Sequence, residues 1–185
     1  MRGVGTSDNI LCWDDIDACA TQLAENLGHA CGVADFDRVI GIARGGLIPA
    51  VLLATKLGVK RLETVQVRYY DGDQKLEAPI VLGEPPKPHG PSGDPARTLL
   101  VDELIDSGAT LRHLRALFPE AHRAALVGRQ TGPLPGPRAG LIPWINDAQA
   151  GADRPVWVGR AIATTQWILV PWSSSADVEA GATPS

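Results

Sequence analysis

Residues 99–110 of the chain read LLVDELIDSGAT, and this stretch constrains the fold more than any other. Leu99, Leu100 and Val101 are apolar without alternation, the pattern of a strand covered on both faces in a parallel sheet. Asp102 and Glu103 follow at once and read as an acidic turn, then Leu104 and Ile105. Asp106, Ser107, Gly108, Ala109 and Thr110 make a loop of short side chains. Leu111, Leu114, Leu117 and Phe118 recur at helical spacing until Pro119. A buried strand that passes through a small loop into a helix is the repeating unit of an α/β fold.

Each part of this stretch has a chemical use. A loop of Ser, Gly, Ala and Thr has few bulky groups to block an anion, and successive backbone N–H groups at a helix start can cradle a phosphate. Ser107 and Thr110 add hydroxyl donors. Asp102 and Glu103 cannot serve that phosphate, because like charges repel. They suit sugar hydroxyls, or a hard Mg2+ that also touches the ligand. The combination describes a site for a sugar phosphate. The competing reading is an acidic strand end followed by an ordinary Asp or Ser helix cap.

A second unit of the same kind lies upstream. Arg38–Ala43 reads as a buried strand, Arg44-Gly45-Gly46 as a loop, and Leu47–Leu57 as an apolar helix with Pro49 in its first turn. Gly45 and Gly46 permit close backbone approach to an anion, and Arg44 offers a forked donor suited to a diphosphate. Alternatively this is a tight Gly-Gly turn with Arg44 in solvent. Trp13–Leu27 reads as a helix, with Ile16, Ala20, Leu23, Ala24 and Leu27 on one face. Leu62–Val67 reads as a strand, Asp71-Gly72 as a hairpin turn, and Leu76–Leu82 as its return. The run GEPPKPHGPSGDP at 83–95 excludes regular structure and is expected to extend the hairpin as a lid. Ala121–Val127, Pro155–Gly159 and Gln166–Val170 read as further strands, and residues 1–9 and 173–185 as loose ends. Strands alternating with helices predict a mostly parallel sheet flanked by helices, with ligands at the strand ends.

The 185 residues, with 44% hydrophobic and 21% charged, suit one domain with a sizeable core. Its parts are expected at about 13–130 for the core and 155–172 for a small C-terminal hood, with Pro/Gly-rich excursions at 83–97 and 131–154. A net charge of -4 argues against a nucleic-acid partner. Cys12, Cys19 and Cys31 form no metal-type pair, which suggests reduced thiols and a cytoplasmic location. The first ten residues lack the apolar core of a signal peptide, and no apolar run approaches membrane-spanning length.

Gln166-Trp167-Ile168-Leu169-Val170-Pro171-Trp172 offers a flat apolar surface, on which Trp167 can stack on a planar ring while Ile168 offers backbone groups to its edge. The plainer alternative puts Trp167 and Trp172 in the core of a small subdomain.

LLVDELIDSGAT resembles the phosphoribosyl-diphosphate (PRPP) signature of the type I phosphoribosyltransferases: an apolar strand, two acids, two apolar residues, then Asp-Thr/Ser-Gly-x-Thr. IARGGLIPA resembles the diphosphate-binding loop of the purine enzymes, especially the xanthine-guanine phosphoribosyltransferases, and TrpIle before ProTrp resembles their hood. The resemblance runs with gaps from Trp13 to about Trp172. It implies the type I phosphoribosyltransferase fold, with a central, mostly parallel sheet and a hood. The implied activity is transfer of phosphoribose from PRPP to a 6-oxopurine (xanthine, guanine or hypoxanthine), with Mg2+ as cofactor, in a homo-oligomer.

Several roles follow from that resemblance alone. Asp106 becomes the general acid/base candidate, because the matching Asp lies near the purine N7. Asp102 and Glu103 hold the ribose hydroxyls and the metal. Ser107, Gly108, Ala109 and Thr110 anchor the 5′-phosphate, and Arg44, Gly45, Gly46 and Lys75 meet the diphosphate. Lys75 also fits a solvated surface hairpin. Arg129 stands where the family has a Lys that meets the purine 6-oxo group, and Trp167 and Ile168 hold the base. Three positions depart from the pattern. Glu103 replaces a more usual Asp, Arg129 replaces Lys, and Leu169 stands near an acidic residue that meets the guanine amino group. These departures keep two other readings open: a same-fold transferase for a different base, and a non-catalytic regulator that binds PRPP or a nucleotide.

Overall fold

A computed structural model describes residues 9–31, 36–71, 74–88, 90, 92–130 and 156–174, with the backbone alone at 69–71, 74, 75 and 77. Helix α1 (Trp13–Cys31) buries Ile16, Cys19, Ala20, Leu23, Ala24 and Leu27 along one stripe, as their helical spacing requires. Its start is fixed by Asp15, whose carboxylate accepts the Cys12 N–H at 3.0 Å from the first turn. That bond, more than the weaker pull of Arg160, holds the Asp15 carboxyl below the usual carboxylate range.

Strand β1 (Arg38–Ala43) leads to helix α2 (Leu47–Lys56), then to strands β2 (Arg61–Asp71) and β3 (Gln74–Leu82). After a short 3-10 turn, strand β4 (Thr98–Ile105), helix α3 (Ala109–Arg115), strand β5 (His122–Gln130) and strand β6 (Val156–Ala163) follow. The six strands form one sheet in the order β3-β2-β1-β4-β5-β6. Every pairing is parallel except the β2–β3 hairpin.

Strand alternation sends neighbouring residues into different layers. Leu99 and Val101 pack with Leu23, Leu27 and Leu53 of α1 and α2. Leu100, between them, packs with Leu111, Leu114 and Phe118 on the α3 side. The sheet is thus covered on both faces, which is why β1 and the start of β4 carry no polar alternation. Among the described residues, no helix is long and apolar enough to cross a membrane.

The chain leaves β1 toward β2 on one side, and β4 continues through β5 and β6 on the other. This reversal opens a crevice at the C-terminal ends of β1 and β4. Strand β4 is longer than its apolar start suggests. It leaves β1 after Val101 but stays paired with β5 through Leu104 and Ile105. Asp102 and Glu103 therefore lie within a strand, not in a turn.

Two expectations change here. The 83–95 run does not extend the lid. Arg38, only 1% exposed at the first position of β1, donates to the carbonyls of Lys87 at 2.7 Å and Pro88 at 2.8 Å. It also meets Glu63 at 3.1 Å and the Thr98 hydroxyl at 2.8 Å. A buried guanidinium needs its donors satisfied, and this one draws the segment to the end of the sheet away from Arg44. The described part of 166–170 is also not a ladder strand. It makes a single parallel bridge, Ile10 to Leu169. Asn9, expected to be loose, is buried against it. The excursion expected at 131–154 lies outside the described residues.

Candidate active site

The crevice is built by two strand-to-helix loops that touch. Gly46 packs against β4 so closely that a Cβ there would lie 2.5 Å from the Val101 carbonyl and 2.7 Å from that of Ile42. Its N–H already donates to Ile42 at 2.9 Å, so Gly46 brings the loops together rather than facing a ligand. Arg44 is exposed at the mouth. The Glu103 carboxylate lies over Gly45, where an added Cβ would fall 2.1–2.4 Å from its three atoms.

The second loop is shaped by Gly108, at φ 72°, the left-handed region that favours glycine. The Ser107 hydroxyl lies 3.4 Å from the Ala109 N–H, and Arg112 braces the Ser107 carbonyl at 2.7 Å. Residues 106–110 line a cavity of about 580 Å³ together with Asp102, Glu103 and Trp167. A neighbouring cavity of about 270 Å³ is lined by Arg44, Gly45, Glu103, Trp167, Ile168 and Trp172, among others. Glu103, Leu104 and Trp167 line both cavities.

Asp102 and Glu103 are adjacent in sequence and both line the larger of these two cavities, with different hydrogen-bond partners. The Asp102 carboxylate accepts the Glu103 N–H at 2.8 Å. Burial pushes its pKa up to about 7; that hydrogen bond opposes the rise, and the Glu103 charge adds to it. Glu103 instead reaches the hood, where its Oε2 accepts the Trp172 indole N–H at 2.5 Å.

Arg129, near the end of β5, grips both oxygens of Asp106: Nε to Oδ1 at 3.1 Å and Nη2 to Oδ2 at 2.6 Å. Its guanidinium also sits 5.2 Å from the centre of the Trp167 ring and donates to the Thr165 carbonyl at 3.3 Å. The residues proposed as base reader, acid/base group and stacking ring thus form one cluster. Ile168 is buried and Trp167 is 38% exposed. The Lys75 backbone pairs with Tyr70 across the hairpin, and its side chain lies outside the described part.

The hood is braced by residues the sequence reading left out. The Asn9 side chain donates to the Trp167 carbonyl at 2.8 Å, and the Asn9 carbonyl accepts the Leu169 N–H at 2.8 Å. The Leu11 N–H donates to the Leu169 carbonyl at 2.9 Å. Trp13 packs on Trp172 with ring centres 5.6 Å apart. No spacing links residues so far apart in the chain. The one local signal was two tryptophans where a small hood needed few.

Comparison with known proteins identifies the family and the fold. Residues 8–135 match the family described as Phosphoribosyl transferase domain. A xanthine-guanine phosphoribosyltransferase of Vibrio atlanticus is 29% identical over 167 residues, covering 90% of this chain and 89% of that protein. A hypothetical protein from Neisseria gonorrhoeae, solved with bound ppGpp, superposes with a TM-score of 0.63 at 26% identity, covering 95% of each chain. A purine phosphoribosyltransferase from Pyrococcus horikoshii Ot3 gives a TM-score of 0.59 at 25% identity, covering 90% of this chain and 95% of that one. The chain belongs to the phosphoribosyltransferase family and is, by that membership, a transferase of phosphoribosyl groups.

Proposed function

We propose that this phosphoribosyltransferase moves phosphoribose from PRPP to a 6-oxopurine, giving the nucleoside 5′-monophosphate and diphosphate. The observation that carries the reading is the pair of adjoining cavities. One holds the small-residue loop, the other holds Arg44 and the hood, and Glu103 and Trp167 line both. A 5′-phosphate fits against residues 107–110, the diphosphate beside Arg44 and Gly45, and the base toward Trp167 and Ile168.

In the reaction the ribose C1–O bond to diphosphate breaks and a C1–N bond to the purine forms through an oxocarbenium-like transition state. Arg44, and Lys75 from the hairpin, stabilise charge on the leaving diphosphate. Asp102 and Glu103 hold the ribose hydroxyls. Asp106 takes the proton that the purine imidazole ring gives up. Each Asp106 oxygen accepts one bond from Arg129 and keeps a lone pair for the base, and movement of Arg129 would free the Trp167 face for stacking.

Two carboxylates plus substrate phosphate oxygens are a donor set that Mg2+ accepts. Among the described residues no group of three or more His, Cys, Asp or Glu competes for it. When bound there, Mg2+ would neutralise the diphosphate. The family resemblance favours one domain working as a homo-oligomer, and three cysteines outside any disulfide suit the cytoplasm.

The base itself is narrowed by Leu169. Its side chain accepts no hydrogen bond, and its backbone N–H and carbonyl already pair with Asn9 and Leu11. This supports hypoxanthine over guanine. Incubation with Mg-PRPP and a panel of purines and pyrimidines, measuring diphosphate, tests the whole reading. Release with hypoxanthine is expected, and release with a pyrimidine alone would replace the assignment.

A second reading has one observation in its favour, the ppGpp-bound Neisseria protein. A ribose carrying phosphate groups at both ends could occupy the same two cavities. If this chain is a nucleotide-binding regulator, ppGpp binds and no base yields diphosphate.

A further inference from the structure

We propose that Trp172, a residue of the hood, is a positioning residue for Glu103. Its indole N–H fixes the carboxylate between the diphosphate loop and the ribose site. This inference rests on the reading of the crevice as a PRPP site.

The tether has three parts. The indole N–H donates to Glu103 Oε2 at 2.5 Å, a charge-assisted bond to a carboxylate. On the loop side the carboxylate lies directly over Gly45, in space that any Cβ there would occupy. On the hood side Trp172 is itself held, packed on Trp13 at 5.6 Å and against the buried cluster that contains Leu11, Ile16 and Ile168. Glu103 is thus fixed at both ends of a cavity that Arg44, Trp167 and Trp172 share.

The extra methylene of Glu gives this arrangement a purpose. Asp at position 103 would withdraw the carboxylate toward β4 by about one C–C bond and would leave the indole without its acceptor. Glu spans the gap. A carboxylate held in one rotamer loses less freedom when substrate arrives. The hood thereby contributes to binding the phosphoribosyl donor through Glu103.

The test measures Mg-PRPP affinity by calorimetry, beside kcat and KM with saturating base. Trp172→Phe keeps the ring on Trp13 and removes only the N–H donor. It is expected to weaken Mg-PRPP binding about tenfold, the range for a hydrogen bond to a charged group. KM for PRPP should rise with it while kcat changes little. Glu103→Asp keeps the charge but cannot reach the indole, so it should show a similar loss and serves as the second variant should the first fold poorly. The two losses should not add: Trp172→Phe in the Glu103→Asp background should cost nothing further. An equal loss in both backgrounds, or wild-type affinity in Trp172→Phe, would overturn the proposal and leave the PRPP site standing. Failure of the wild-type protein to bind Mg-PRPP would overturn both.

Discussion

The end of the crevice proposed for the phosphates and the end proposed for the base are built in opposite ways. The phosphate end uses two contiguous strand–loop–helix units, Arg38–Lys56 and Thr98–Arg115, each of which places its own loop. The base end has no such unit. It is assembled from Asn9–Trp13, Arg129 and residues 164–174, joined by bonds such as the Asn9–Trp167 contact that spans 158 positions. Local sequence can specify the first end, whereas the second exists only once the sheet has formed.

The sharpest way to break the comparison is at Asp106, where the two ends meet. Asp106→Asn keeps the size of the side chain, so folding should survive, while kcat should fall about 10²- to 10⁴-fold. Unchanged turnover would move proton transfer away from the phosphate loop.

Next in size is the loop contact. Gly46→Ala puts a methyl group against two backbone carbonyls that cannot retreat, and should cost about 1–3 kcal/mol in denaturant unfolding. Gly45→Ala meets only the carboxylate end of the Glu103 side chain, not backbone. It should leave stability nearly intact and weaken Mg-PRPP binding instead. If both variants lose stability equally, the two glycines do not differ as the structure says.

A smaller effect is expected from Asp102. Its pKa is raised to about 7 from 3.8, so the folded protein keeps a proton that the unfolded chain loses. This group therefore favours folding at low pH, and its contribution is lost as pH rises from about 4 through about 7. Binding runs the other way, because a ribose hydroxyl or metal needs the ionised form. Mg-PRPP affinity should fall by roughly tenfold per pH unit below about 7. Comparison with Asp102→Asn, which should lack that component, separates it from titration of the substrate. Parallel pH profiles for the two proteins would contradict the assignment.

The mildest prediction concerns the hood brace. Asn9→Ala removes the side-chain bond to Trp167 and should cost about 1 kcal/mol of stability. KM for the base should rise while Mg-PRPP affinity stays put. A change in the donor alone would erase the distinction between the two ends.

How much was legible in the sequence follows the same division. The apolar run Arg38–Ala43 is a strand at those residues because both of its faces are buried. Asp102 and Glu103 looked like a turn because charge usually marks exposure, yet β5 keeps them paired beyond the edge of β1. Gln166–Val170 looked like a strand by composition, but only Leu169 makes a β-bridge, and its bridge partner is Ile10, far away in the chain. The Pro-rich run at 83–95 gave no sign that a buried Arg38 would claim its carbonyls. Arg129 was placed at the base by resemblance; its grip on Asp106 depends on where β5 ends relative to β4, which periodicity does not reveal.

The central claim is that one donor spans both loops. A crystal structure of the protein with Mg-PRPP tests it most directly. The account predicts the 5′-phosphate against residues 107–110, the diphosphate beside Arg44 and Gly45, and the ribose hydroxyls on Asp102 and Glu103. A donor bound elsewhere, or carboxylates turned away from the ribose, would contradict it.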